Sequence, residues 1–267
     1  MPATVWKGYL SFGLVSFPVR LFAAARAESV HFHLLHRKDL SRVKEVWCCV
    51  EENKPIERSE IVKGYEAKKG EYVVVEDEEI KKMAPPTAAT MDILQFVREH
   101  DVDPIFFEHS YYVGPGDEIT KPFALFLKAL KETEYSAIAK VAMHGREQVV
   151  LIRSSEEGLV LHTLFYPDEL HKANKQKVSA ADATGKELEL AKQLIGQLAG
   201  PFKPNVFHDS YRENVKKLID AKKAGKKITS APKPRRAPVV DLMEALKKSL
   251  AASKSKTGKP SKRRKAA

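Results

Sequence analysis

Cysteine is almost absent from this 267-residue sequence: Cys48 and Cys49 are the two, and they are adjacent. Neighbouring residues cannot meet the Cα separation of a disulfide, so a disulfide framework is excluded. The two-residue spacing of a zinc half-site is missing too, and no structural metal within one chain is expected. His31 and His33 share one face of an expected strand and His36 follows, but no thiolate or carboxylate completes a ligand set. No run approaches the ~18 apolar residues of a membrane span. Lys7, an apolar stretch and Ala23, Ala24 and Ala25 imitate a secretory leader. Gly13, Ser16 and Pro18 interrupt its apolar part and Arg20 precedes the alanines, so a cytoplasmic protein is expected, with no membrane partner.

Catalytic patterns are lacking as well. GYEAKKG has no Gly-Lys-Ser/Thr ending of a phosphate-binding loop, and neither G-x-S-x-G nor H-E-x-x-H occurs. Asp101 with Asp103, and Asp168 with Glu169, lack the further ligand that two-metal nuclease chemistry requires. No cofactor is implied, and a binder is favoured over an enzyme.

Acids are scarce in one region only. From Lys222 to Ala267 there are sixteen Lys or Arg against Asp241 and Glu244, a net of +14 within a total of +11, which leaves residues 1–221 at −3. The basic character therefore resides in a tail, and a folded part that binds a polyanion must cluster its cations locally.

What is present begins with WKGYLSFGLVSFPVRLF. Trp6, Gly8, Leu10, Phe12 and Leu14 share one face of a strand, Gly13 marks a bulge or close backbone approach, and Pro18 a break before Val19 to Phe22 resumes it. Residues 31–35 and 42–50 read as strands around the turn HRKDLS, and Arg37 and Lys38 of the turn with Arg42 and Lys44 of the second strand, against the lone Asp39, make the densest basic cluster of the folded part. Residues 53–65 mix charges like an exposed arm, 71–75 form a strand, and 76–83 a short helix with an acidic start and a lysine end. Strands follow at 91–97 and 104–113, a helix at 122–130, and strands at 137–143, 148–153 and 158–166, whose continuous apolar runs need cover on both faces. Helical spacing then takes over at 187–198 and 209–224. Beyond Lys222 the composition is that of a disordered tail, interrupted by VVDLMEALKKSL, amphipathic if helical.

Several long blocks, in order, resemble bacterial Ku, the DNA-end-binding protein of non-homologous end joining: the opening stretch, FHLLHRKDLSRVK, EIVKGYE, QFVREHDVDPIFFEHSYYVGP, KPFALFLKAL, LVLHTLFYPDEL and DSYRENVKKLIDAKKAG. One departure is Trp47-Cys48-Cys49-Val50, where many relatives carry cysteines two residues apart.

The resemblance implies an α+β fold: a Ku core β-barrel over residues 1–200 with a strand-rich bridge inserted at about 31–83, a C-terminal helical region at 201–225, and a basic tail at 226–267 with a short helix at 239–250. It implies a ring-shaped homodimer around double-stranded DNA ends, near the nucleoid, with no von Willebrand-type N-terminal domain and with the end-joining ligase, ligase D, as partner. Phosphate contacts are then expected from Arg37, Lys38, Arg42, Lys44, Lys54, Arg58 and Lys63 of the bridge. Further cations come from Lys222, Lys223, Lys226, Lys227, Arg235, Arg236 and the cluster Lys262, Arg263, Arg264, Lys265 of the tail. Ligase contact is expected from Tyr211, Val215, Leu218 and Ile219, with Leu242 and Leu246 of the late helix. The rival from another class is an architectural protein that coats DNA through its tail without end selectivity.

Overall fold

Alternating apolar side chains at the start of the chain produce a tight antiparallel hairpin. β1 (Thr4–Phe12) and β2 (Val15–Ala23) are joined by Gly13 and Leu14 alone, with Phe12 opposite Val15 and Lys7 opposite Arg20. Gly13 has φ +60°, left-handed backbone that glycine adopts without a Cβ penalty, so it forms the turn and not a bulge. Leu14 stands in solvent at the tip instead of sharing the face of Trp6. Pro18 does not break the strand: it lies within β2 opposite Tyr9, and its carbonyl accepts from the Gly116 N–H at 2.9 Å. This computed structural model describes residues 3–26, 28–83, 89–172 and 185–225, together with Lys247 and Ser249.

Between β2 and the next barrel strand the chain makes a long excursion that contains β3 (Lys63–Lys68), β4 (Glu71–Val75) and α1 (Asp77–Lys82). It returns as β5 (Thr90–Arg98), followed by β6 (Phe107–Pro115), α2 (Lys121–Thr133), β7 (Tyr135–Met143), β8 (Arg146–Ser155) and β9 (Gly158–Leu164). The order β1-β2-β6-β9-β8-β7-β5 closes into a seven-stranded barrel. All neighbours are antiparallel except β1 and β5, which run parallel with Tyr9 opposite Thr90. At this seam Gly8 is obligatory: a Cβ there would lie 2.4 Å from the Ala89 carbonyl oxygen, whose bond from the Tyr9 N–H (3.0 Å) anchors the returning chain.

Leu10, Phe17, Leu21, Met91, Val141, Val150, Ile152 and Leu161 belong to one buried core. α2, capped by the Thr120 hydroxyl and opened by Pro122, adds Phe123, Phe126 and Leu130 to it. The Phe17 ring meets Phe123 edge-on at 6.1 Å and Phe126 at 5.8 Å. A second cluster, Ile138, Leu151 and Leu164, packs with Val97, Val102, Phe106 and Phe107, which supplies the two-sided cover that the runs VVLI and LVLHTLF require.

One polar chain lies beside this second cluster. The Arg153 guanidinium, which can only donate, reaches His162 Nε2 at 3.0 Å, so the neutral ring carries its proton on Nδ1 and donates to Ser110 Oγ at 2.8 Å. Burial first, and then the Arg153 charge, hold the His162 pKa below its ordinary value. The unfolded chain therefore binds this proton more readily, and stability is expected to fall as pH drops through about 6.5 toward the depressed native value. Denaturant midpoints measured from pH 8 to pH 5 should show this acid-side loss, and His162→Gln should reduce it.

Residues 1–173 and 174–267 form separate units. The second contains α3 (Gly185–Leu198) and α4 (Ser210–Lys223), and Asp209 caps α4 by accepting from the Arg212 N–H at 3.1 Å.

Candidate nucleic-acid interface

The excursion of residues 28–83 forms an arm made of three successive reversals. The first folds residues 34–43, with Leu35 bridged to Arg42 and the Val43 N–H donating to the Leu34 carbonyl at 3.1 Å. The second folds residues 47–56, with Cys48 bridged to Pro55. The third is the β3–β4 hairpin around Gly70. Residues 31–35 and 42–50 are thus not regular strands. Leu35 of the first and Arg42 and Cys48 of the second make isolated bridges only, and among the described residues no further strand extends them into a ladder.

No residue of this arm is buried, although it carries Phe32, Leu34, Val46, Trp47, Tyr65, Tyr72, Val73 and Val74, all exposed. The arm is not uniformly basic: residues 28–83 hold eleven Lys or Arg against thirteen acids. What decides the local field is where the acids are engaged. At the first reversal Asp39 accepts from the Ser41 N–H (3.0 Å), the Ser41 hydroxyl (2.8 Å) and His36 Nδ1 (3.1 Å). Those bonds, the Ser41 N–H above all, keep its carboxyl below the usual range. The only acid of the turn is thereby spent on the turn itself. Arg37, Lys38, Arg42 and Lys44 are exposed and form no ion pair among the described residues.

The other expected contacts sit less favourably. Lys63 Nζ is 2.8 Å from Asp77, whose carboxyl is held low by that hydrogen bond and also feels Arg58. Lys63, Arg58 and Trp47 line a cavity of about 390 Å³ together with Glu76, Asp77 and Glu78, an arrangement that repels phosphate. Lys54 follows Glu51 and Glu52 in the second reversal. Lys68 and Lys69, which charge density in the sequence did not single out, precede the Gly70 turn of β3–β4, where Lys68 Nζ lies 3.9 Å from Glu71.

In the second unit Lys222 and Lys223 are exposed at the end of α4. Of the expected ligase-contact residues, Tyr211 is exposed, Leu218 and Ile219 are half-buried, and Val215 is 7% exposed. The α4 stripe is therefore mostly covered, a correction to its reading as a displayed apolar face. Lys226, Lys227, Arg235, Arg236, Leu242, Leu246 and Lys262 to Lys265 lie outside the described residues.

The model of the Ku70/Ku80 beta-barrel domain matches residues 11–190. The chain is 64% identical over 267 residues to a non-homologous end joining protein Ku of Solibacter usitatus, covering all of both chains. It is 50% identical to one from Koribacter versatilis, covering 95% of this chain and 88% of the relative. With one from Bacillus subtilis it is 35% identical, covering 92% and 81%. The chain belongs to the Ku family.

Set against the Ku domain model, the matched span takes in β2, the whole arm and every later barrel strand, so the basic reversal is inside the Ku match and the α4 helix is beyond it. Among the described residues, no group of three or more His, Cys, Asp or Glu is placed to hold a metal, and no helix is long and apolar enough to cross a membrane.

Proposed function

We propose that this Ku-family chain binds ends of double-stranded DNA in non-homologous end joining, as a homodimer whose paired arms enclose the duplex. The observation that carries the reading is the arm: fifty-odd residues with no buried side chain, displaying tryptophan, tyrosine, leucine and valine to solvent. A two-stranded hairpin in isolation is marginal, and so many exposed large apolar side chains on one arm favour contact with another chain. A second copy supplies it symmetrically, and the first reversal then offers four cations per chain to a phosphate backbone. Contact with phosphates alone reads no sequence, as a protein acting at arbitrary breaks requires.

Closure gives the test. Purified protein should bind a linear duplex of ordinary sequence and be competed by linear DNA, while a covalently sealed minicircle of the same sequence competes at least tenfold less well. Equal competition by the minicircle would leave the architectural, tail-driven reading in its place.

The ligase of the pathway, ligase D, is proposed as partner, met by Tyr211 and the late segment containing Leu242 and Leu246. Leu246→Asp should weaken capture of purified ligase without altering DNA binding. Undiminished capture would remove that segment from the account.

A further inference from the structure

The connection between α3 and α4 carries an aromatic pair that none of the readings above uses. Phe202 and Phe207 are 80% and 70% exposed, yet their rings stack on each other with centroids 5.7 Å apart and planes 22° from parallel. The local chain makes this arrangement. Pro201 and Pro204 fix φ on either side of Phe202, and a single 3-10 turn, Pro204–Val206, brings Phe207 back, its N–H donating to the Pro204 carbonyl at 3.1 Å. Tyr211, on the first turn of α4, is 75% exposed.

The charge of this stretch of the chain favours an anion. Residues 199–225 hold six Lys or Arg against three acids. Lys203, between the two rings in sequence, forms no ion pair among the described residues, and Lys216, Lys217, Lys222 and Lys223 are exposed along α4. Asp209, one of the three acids, is committed to capping α4. Exposed π-faces beside a run of cations are the combination by which proteins hold unpaired nucleotides, because every base has a face to stack and every linkage a phosphate to attract. A paired duplex presents no free base faces along its length, so the ligand class is single-stranded.

We propose that Phe202 and Phe207 form a stacking platform for the unpaired bases of a single-stranded overhang at the DNA end, with Lys203 and the α4 lysines drawing in its phosphates. The proposal rests on the end-binding reading for its setting, but the site itself needs only single-stranded DNA. It would let one protein hold ends that are not flush, through contacts separate from those that surround the duplex.

The full chain should be titrated with three labelled DNAs: a blunt duplex, the same duplex with a thymidine overhang of about ten nucleotides, within the ~4–16 nucleotides such sites cover, and the free oligothymidine. The overhang is expected to bind more tightly than the blunt end by about tenfold. Phe202→Ala/Phe207→Ala should abolish that difference and leave blunt-duplex binding unchanged. Phe202→Trp/Phe207→Trp should preserve it, and Lys203→Glu should lower it with α4 helicity intact by circular dichroism. Absence of any overhang preference, or its survival in the double alanine variant, overturns the proposal. So does a double alanine variant that keeps the preference and loses capture of a protein partner, which would make the face a protein-docking surface. If linear and sealed duplexes bind alike while oligothymidine binding still requires the two rings, the ring reading fails and this one stands.

Discussion

Alanine at Arg37, Lys38, Arg42 and Lys44 together is expected to produce the largest loss of DNA affinity available from any four substitutions in the folded part of this chain. Each phosphate contact contributes about 0.9 to the slope of log Kobs against log salt, so the eight cations of a dimer account for about 7. The variant's slope should flatten by up to that amount, with the deficit greatest at low salt. Alanine at Lys54, Arg58 and Lys63, three cations of the same arm, is the control, and its effect per cation removed should be far smaller. Lys63 is tied to Asp77, Arg58 lies beside the same carboxylate, and Lys54 has Glu51 and Glu52 nearby in sequence. Salt-dependent anisotropy titrations of both variants, with sedimentation to verify that dimer mass is retained, settle the ranking. Equal flattening in the two would mean that the acids do not partition the arm as described.

Phe17→Ala is expected to have the largest effect on stability. The side chain is 1% exposed, touches two phenylalanines of α2, and lies in the core where β2 and that helix meet. Truncation of a buried phenylalanine costs about 3–5 kcal/mol, since the packing around it collapses only partly. For a chain of this size that is a drop in Tm of about 10 °C, at about 2–4 °C per kcal/mol. Leu14→Ala, three residues earlier, should stay within about 0.5 kcal/mol because its side chain stands free at the hairpin tip. Thermal unfolding followed by far-ultraviolet circular dichroism distinguishes the two, and a Leu14 effect approaching that of Phe17 would contradict the turn assignment.

The same two residues show how far the fold was legible in the sequence. Period-two alternation grouped Trp6, Leu10 and Phe12 on one face, of which Trp6 and Leu10 are buried and Phe12 is exposed, and it continued smoothly through Leu14, because hydrophobicity alone does not reveal where a strand reverses. Gly13 fits a bulge and a two-residue turn equally until pairing is known, and its φ of +60° is seen only in the folded hairpin. The helices were legible because their start signals and spacing are local: Pro122 and Asp209 stand where α2 and α4 begin. The arm was legible in composition and not in conformation. Residues 42–50 have strand character in every local respect, but a ladder needs a neighbour, and which segments become neighbours is a long-range outcome.

For the interface, the cluster Arg37 to Lys44 stood out by density of charge. The separation of Lys63 from that group depended on Asp77, fourteen residues on, which only the folded β3–β4 hairpin and α1 bring to 2.8 Å. Val215 shows the opposite failure: an amphipathic period identifies an apolar stripe but does not say whether the chain's own residues already cover it.

The parallel seam between β1 and β5 has a consequence for how the molecule is made. Tyr9 meets Thr90, and Val19 meets Pro115, so both neighbours of the first hairpin other than itself arrive some eighty to ninety-five residues later in synthesis. During translation Leu10, Phe17 and Leu21 have emerged long before anything exists to cover them. Assembly of the closed sheet is therefore gated by the last strands to leave the ribosome, a high-contact-order route that is slow and leaves the nascent N-terminus dependent on chaperone protection.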